Sequence, residues 1–381
     1  MLQFQRITTQ KKFIPQIDGL RFVAISSVVF FHIYSALERG AIPLPFAFND
    51  DLSKRGVELF FAISGFILGV PFATHHLLNG PELRLKQYFT RRLTRLEPPY
   101  FLSFPLWMAM QWVVWHRPLS DMAPHLLANS VYMHNLIFGA FPGAVNAVAW
   151  SLEVEVQFYL LVPLLSSIFA IADRRTRRAV ILATMAVVAA ASLPLHGTLH
   201  FHYSIAYYLP FFFGGFLVCD LYITRNEWKP SFAWDALALC LWPLVWWPGL
   251  YLDHLVLPFV IVALYLAAFR GRLCSAVFRN KLLTNIGGMC YSIYLLHFPI
   301  IYAVKHNTGY WHIGNNFWVF FALQCVLIVP AVLFFCGAFF VLVERPCMDR
   351  EWPAKLWHRF QTVIPTGKRS TSEPAKQIST P

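Results

Sequence analysis

The chain has 381 residues, of which 57% are hydrophobic and 17% aromatic against only 13% charged. A water-soluble globule of this size cannot hide so much apolar side chain, which excludes the soluble classes and leaves a polytopic membrane protein. Its net charge of +12 follows from loop topology and calls for no nucleic-acid partner.

Apolar runs near twenty residues predict an all-α fold with about ten transmembrane helices, at 17–37, 56–72, 99–115, 148–172, 179–194, 203–223, 232–248, 250–269, 282–304 and 317–343. The fifth and seventh are short or proline-interrupted, so nine or eleven stay open. The basic residues give an independent check. With both termini in the cytoplasm, the basic loop residues outside are only Arg39, Lys54, Arg55, Arg117 and Lys305, and Arg21 lies at the inner boundary. An odd helix count would scramble that asymmetry. The layout is a multi-pass protein of the inner (cytoplasmic) membrane, with one helical domain over 1–351 and a polar, basic tail over 352–381 whose composition predicts disorder. The basic-then-apolar start resembles a signal peptide, but Asp18, Arg21 and His32 interrupt it, and it is kept as the first helix. None of the seven cysteines falls in an expected outer loop, so free thiols are expected.

Taken in chain order, the chemistry-bearing stretches begin with DGLRFVAISSVVFFH, residues 18–32. Eleven residues separate Arg21 from His32. At about 100° per residue both fall on one helix face, roughly 16 Å apart. Arg21 reads equally as a snorkelling positive-inside arginine. His32 sits too deep to snorkel and is a candidate general base. In RGVELFFAISGFILG, 55–69, Glu58 lies near the outer end of the second helix, and Ser64 and Gly65 allow close helix approach.

The next stretch, YFTRRLTRLEPPY at 88–100, puts Arg92 and Arg95 on one face with Arg91 beside them. Guanidinium forks suit phosphate oxygens, although a basic loop touching anionic lipid has the same composition. In AVAWSLEVEVQFYLL, 147–161, Ser151, Glu155 and Tyr159 recur every four residues on one stripe, and Glu153 points away, toward the surface. Helix direction puts Glu155 at the depth of His32, where a carboxylate could orient the imidazole. In IGGMCYSIYLLHFP, 286–299, Tyr291, Tyr294 and His297 share a face, a pattern that packing alone also produces. His196, His200 and His202 read as surface histidines, and no metal site is expected.

In their order and extent these segments resemble the membrane acyltransferase-3 family, which includes cell-surface polysaccharide O-acetyltransferases. The matching pieces are DGLR…FFH, GVELFFAISGF, RRLTRLEPPY, WSLEVEVQFYL, YSIYLLHFP and VERP at 343–346. Glu153 and Val156 depart from the usual pattern, which leaves Glu155 as the carboxylate of interest. The resemblance implies transfer of an acyl group, usually acetyl, from acetyl-coenzyme A or another acyl-coenzyme A to a carbohydrate or glycolipid hydroxyl. Arg21, Arg91, Arg92 and Arg95 would hold the donor. His32 would act as base or acyl carrier with Glu155. Glu58, Ser151, Tyr159, Tyr291, Tyr294 and His297 would contact the acceptor. The rival from another class is a transporter or flippase of a polar substrate, since polar groups at membrane depth also line permeation paths.

Overall fold

The computed structural model describes residues 6–7, 13–37, 50–139, 144–195, 198–225, 228–247, 253–311, 316–349 and 351–355. Most of the tail expected to be disordered (356–381), and the expected loop residues Arg39 and His196, lie outside the described residues. The described chain is all-helical, with no strand among the described residues. Its helices are α1 (Pro15–Leu37), α2 (Asp50–Leu78), α3 (Leu85–Trp115), α4 (Leu119–Ser130), α5 (His134–Phe138), α6 (Trp150–Leu165), α7 (Arg174–Ser192) and α8 (Leu199–His202). They continue with α9 (Ile205–Ile223), α10 (Phe232–Val245), α11 (Asp253–Arg270), α12 (Arg272–Phe278), α13 (Lys281–Gly288), α14 (Cys290–Thr308), α15 (Phe317–Phe339) and α16 (Arg345–Cys347). Helices are what hydrocarbon demands, because each satisfies its own backbone donors and acceptors.

Among the described residues six helical segments are long and apolar enough to cross a bilayer, and up to eight are if α11 with α12 and α13 with α14 each form one bent span. The third and seventh expected spans fall on α3, whose first half carries the arginines, and on α10, which is only 14 residues long. The most enclosed segments are α2 and the α8–α9 stretch, each with 72% of its apolar window buried. By contrast α7 and α15 are largely uncovered, and Val187 and Phe334 stand exposed on their outer faces. That surface suits lipid, not water.

Glycine sets how closely α2 and α9 approach. A Cβ on Gly215 would lie 2.2 Å from the Ala62 carbonyl oxygen, and one on Gly65 2.1 Å from the Phe212 oxygen. Backbone against backbone leaves nothing flexible to yield. Gly215→Val is expected to lower the melting temperature of the detergent-solubilised protein, at a cost of about 1–3 kcal/mol or more. An unchanged melting temperature would mean that the two helices are not in contact there. At the other side of the site, α13 meets α14 at 71°, and a Cβ on Gly287 would lie 1.8 Å from the Asp18 oxygen of α1.

Two local irregularities position functional side chains. Pro98, Pro99 and Pro105 lie inside α3. A helical proline leaves the carbonyl four residues earlier without its partner. Thr94 holds the carbonyl that Pro98 leaves open, and Trp352 Nε1 donates to it at 2.9 Å. The second irregularity is a π-helical turn, Phe340–Glu344, immediately before the Arg345-Pro346 step. Widening the helix accommodates the missing Pro346 N–H and rotates Glu344 inward, where it is 1% exposed. There it accepts from the Ser292 N–H at 2.9 Å and from Ser292 Oγ at 2.5 Å. Ser292 lies in the first turn of α14, so a carboxylate from a distant helix caps that terminus.

Candidate active site

The end of α1 carrying Arg21 is built on one carboxylate. Asp18, 1% exposed, pairs with Arg21 Nη1 at 2.8 Å and with Arg6 Nε at 2.8 Å. Two guanidinium groups sharing one acid leave the region positive. From α3, Arg92 sits over the rings of Tyr88 and Tyr159, 5.7 and 5.4 Å from their centroids. Neither Arg92 nor Arg95 forms an ion pair among the described residues, and both face the same interior space as Arg21.

That space is about 940 Å³, partly open to the outside. It brings together Arg21, Arg92, Arg95, Ser151, Glu155, Tyr159, Tyr291 and Tyr294, all read from the sequence as site residues. The stripe on α6 folds as its four-residue period predicts. Glu155 accepts from Ser64 Oγ at 2.5 Å, and Ser151 Oγ lies 3.2 Å from Tyr294 Oη. Tyr294 in turn donates to the Val148 carbonyl. Tyr291 Oη donates to the Leu96 carbonyl at 2.9 Å, which ties α14 to the arginine helix. Arginines gather at one end of the space, while Phe60, Phe61, Val28 and Leu152 give the rest an apolar lining.

Four sequence candidates lie elsewhere. Arg91 is exposed on the outer side of α3. Glu58 is buried against Arg55, at 3.1 Å. His32 and His297 stand one helical turn beyond the cavity lining, His32 four residues past Val28 and His297 three past Tyr294. They bond to each other, with His32 Nδ1 at 2.9 Å from His297 Nε2. The expected pairing of His32 with Glu155 is therefore replaced. Glu155 turns to Ser64 and the arginine end, and His32 meets His297, with the Val28 backbone of its own helix also acting on the ring. Phe31 and Phe298 pack edge-on against the His32 ring, and Phe298 stacks on the fully buried Trp107.

Glu153 corrects the sequence reading in the other direction. It was expected at the surface but is fully buried, accepting from Asn129 Nδ2 at 3.2 Å and from the Asn135 N–H at 2.8 Å. The short helices α4 and α5 fold over the start of α6 and supply those donors, a long-range arrangement that spacing within α6 cannot reveal. Of the two described histidines of the expected surface group, His202 departs from that reading. His202 is buried with its Nε2 2.6 Å from Lys54 Nζ, whereas His200 is exposed. Sequence reasoning also passed over Ser64 as a partner for Glu155, and Glu344, which lines the cavity. The acid of the VERP stretch was the available signal, but its inward turn depends on the π segment.

The chain is similar to several known proteins. The peptidoglycan O-acetyltransferase OatA of Listeria monocytogenes is 28% identical over 170 residues, 42% of this chain and 25% of that protein. The O-acetyltransferase OatA of Staphylococcus aureus is 25% identical over 198 residues, 50% of this chain and 30% of that protein. YrhL of Bacillus subtilis is 25% identical over 375 residues, 86% of this chain and 54% of that protein. The chain thus spans from a quarter to about half the length of these relatives. No solved structure matches it. The acyltransferase-domain profile of the acyltransferase-3 family matches residues 14–360, through every helix that shapes the cavity, and the chain belongs to that family.

Proposed function

We propose that the protein is a membrane O-acyltransferase that moves an acyl group, acetyl in the first instance, from acyl-coenzyme A to a carbohydrate hydroxyl. The observation that carries this reading is the cavity's polarity, with guanidinium groups at one end and a histidine pair one turn beyond the other. Coenzyme A has the matching shape, polyanionic at one end with its thioester on a long thin arm. Arg92, Arg95 and Arg21 would hold the phosphates, since planar guanidinium forks bind phosphate oxygens through paired hydrogen bonds. The apolar middle suits the pantetheine arm. By the positive-inside pattern, the arginine end faces the cytoplasm and the histidine end faces outward, with ten membrane passes in all.

In the transfer step, the acceptor hydroxyl oxygen attacks the thioester carbonyl carbon while His32 takes its proton. The resulting tetrahedral intermediate expels the thiolate, which recovers that proton from the imidazolium. An acyl-histidine route uses the same residue as nucleophile and lets the donor leave before the acceptor binds. Given the relatives' names, peptidoglycan is the first acceptor to try.

The test reconstitutes purified protein with acetyl-coenzyme A and soluble peptidoglycan fragments or oligosaccharides. The expected result is free coenzyme A thiol in step with acceptors carrying one additional acetyl group, read by mass spectrometry. Failure to release thiol from any acyl-coenzyme A, with well-folded protein, would overturn the donor assignment.

A further inference from the structure

His297 is fully buried, so it touches neither the cavity nor solvent. Its Nδ1 lies 2.7 Å from the Ile293 carbonyl oxygen and 3.0 Å from the Tyr294 carbonyl oxygen. Both neighbours only accept hydrogen bonds, so Nδ1 must carry the hydrogen. In the neutral ring Nε2 then holds a lone pair. The atom facing that lone pair, at 2.9 Å, is His32 Nδ1. A hydrogen can stand between the two only if it belongs to His32, which leaves His32 Nε2 bare.

We propose that His297 is a positioning residue that fixes His32 in the tautomer with Nδ1–H, so that its Nε2 is the atom able to take the acceptor's proton. This rests on the reading of His32 as the reacting base. An imidazole with no such neighbour favours its hydrogen on Nε2, the form in which that atom cannot accept a proton. The geometry also handles the next state. Once His32 is an imidazolium, its Nδ1–H still points at a neutral acceptor, so the pair stabilises the charge without a carboxylate. Helix spacing makes this possible. The carbonyls that orient His297 are three and four residues earlier on α14, where a histidine ring folds back onto its own helix. The His32 ring also packs against Phe31 and Phe298, and the Val28 backbone, four residues earlier on α1, adds to its restraint.

Two measurements decide it. The first is nitrogen-15 spectroscopy of the ¹⁵N-histidine-labelled protein, with the His32 signals identified by their loss in His32→Ala. It should show a protonated Nδ1 and an unprotonated Nε2 for that ring; a protonated Nε2 in the resting enzyme overturns the proposal, and this reading needs no His297 variant to fold. The second is kinetic. His297→Leu is expected to lower kcat about tenfold with the KM for acyl-coenzyme A unchanged, and His297→Gln, whose amide oxygen can accept from Nδ1–H, should recover most of that loss. Wild-type kcat in His297→Leu overturns the proposal while leaving His32 as base intact. If instead His32→Ala retains full turnover, the assignment of His32 as base falls, whichever tautomer the spectrum shows.

Discussion

His32→Ala should reduce acyl transfer by about 10²–10⁴-fold, the usual contribution of a positioned general base, while donor affinity stays near wild type. The effect is expected in kcat because His32 lies a full helical turn past the last α1 residue that lines the cavity, Val28, and so away from the arginine end. The aromatic rings beside it, Phe31 and Phe298, carry no group that takes a proton. The measurement is steady-state turnover of acetyl-coenzyme A with a saturating glycan acceptor, alongside size-exclusion behaviour to establish folding. Unaltered turnover in a folded variant would remove His32 from the mechanism.

The second large effect falls on donor binding. Arg92→Ala and Arg95→Ala should each raise the apparent KM for acyl-coenzyme A about tenfold or more, and the double variant by about a hundredfold or more. Each removes a charge-assisted hydrogen bond to phosphate, typically about 1.5–3 kcal/mol, and tenfold corresponds to about 1.4 kcal/mol. Arg92→Ala carries a further loss, because its guanidinium packs over Tyr88 and Tyr159 and helps to hold the cavity wall. Arg95 makes no ion pair among the described residues, but its charge acts on the buried Glu344, so the folding of Arg95→Ala is checked alongside its KM. Arg84→Ala, at an exposed site at the start of the same helix, should leave the KM within about twofold. A hydroxyl-bearing acyl acceptor assay over a range of donor concentrations separates KM from kcat. Equal KM values for Arg92→Ala, Arg95→Ala and the unmodified protein would show that coenzyme A phosphates are held elsewhere.

The sequence made the one-helix relations readable and hid the cross-helix ones. The shared faces of Arg21 with His32, of Arg92 with Arg95, and of Ser151, Glu155 and Tyr159 are set by helical period, and most of these residues meet at one cavity. Helix direction put Glu155 at the depth of His32, but depth does not fix azimuth. Glu155 turns toward Ser64 on α2, and the face of α1 that carries His32 turns toward α14. Glu153 escaped for the same reason, since its partners come from α4 and α5, folded over from elsewhere in the chain. Glu344 was harder still. A regular helix would have aimed it differently, and only the widened turn ahead of Pro346 brings it to Ser292.

The indole that reaches Thr94 has a mechanical meaning. Trp352 comes from the last described stretch of chain, and Arg6, near the first, is salt-bridged to Asp18. Both extremities of the described protein are thus clasped around the guanidinium cluster, one on the α1 side and one on α3. Tension transmitted along either terminus would be felt first at this cluster, and only through the helices at the imidazole pair beyond the cavity's other end.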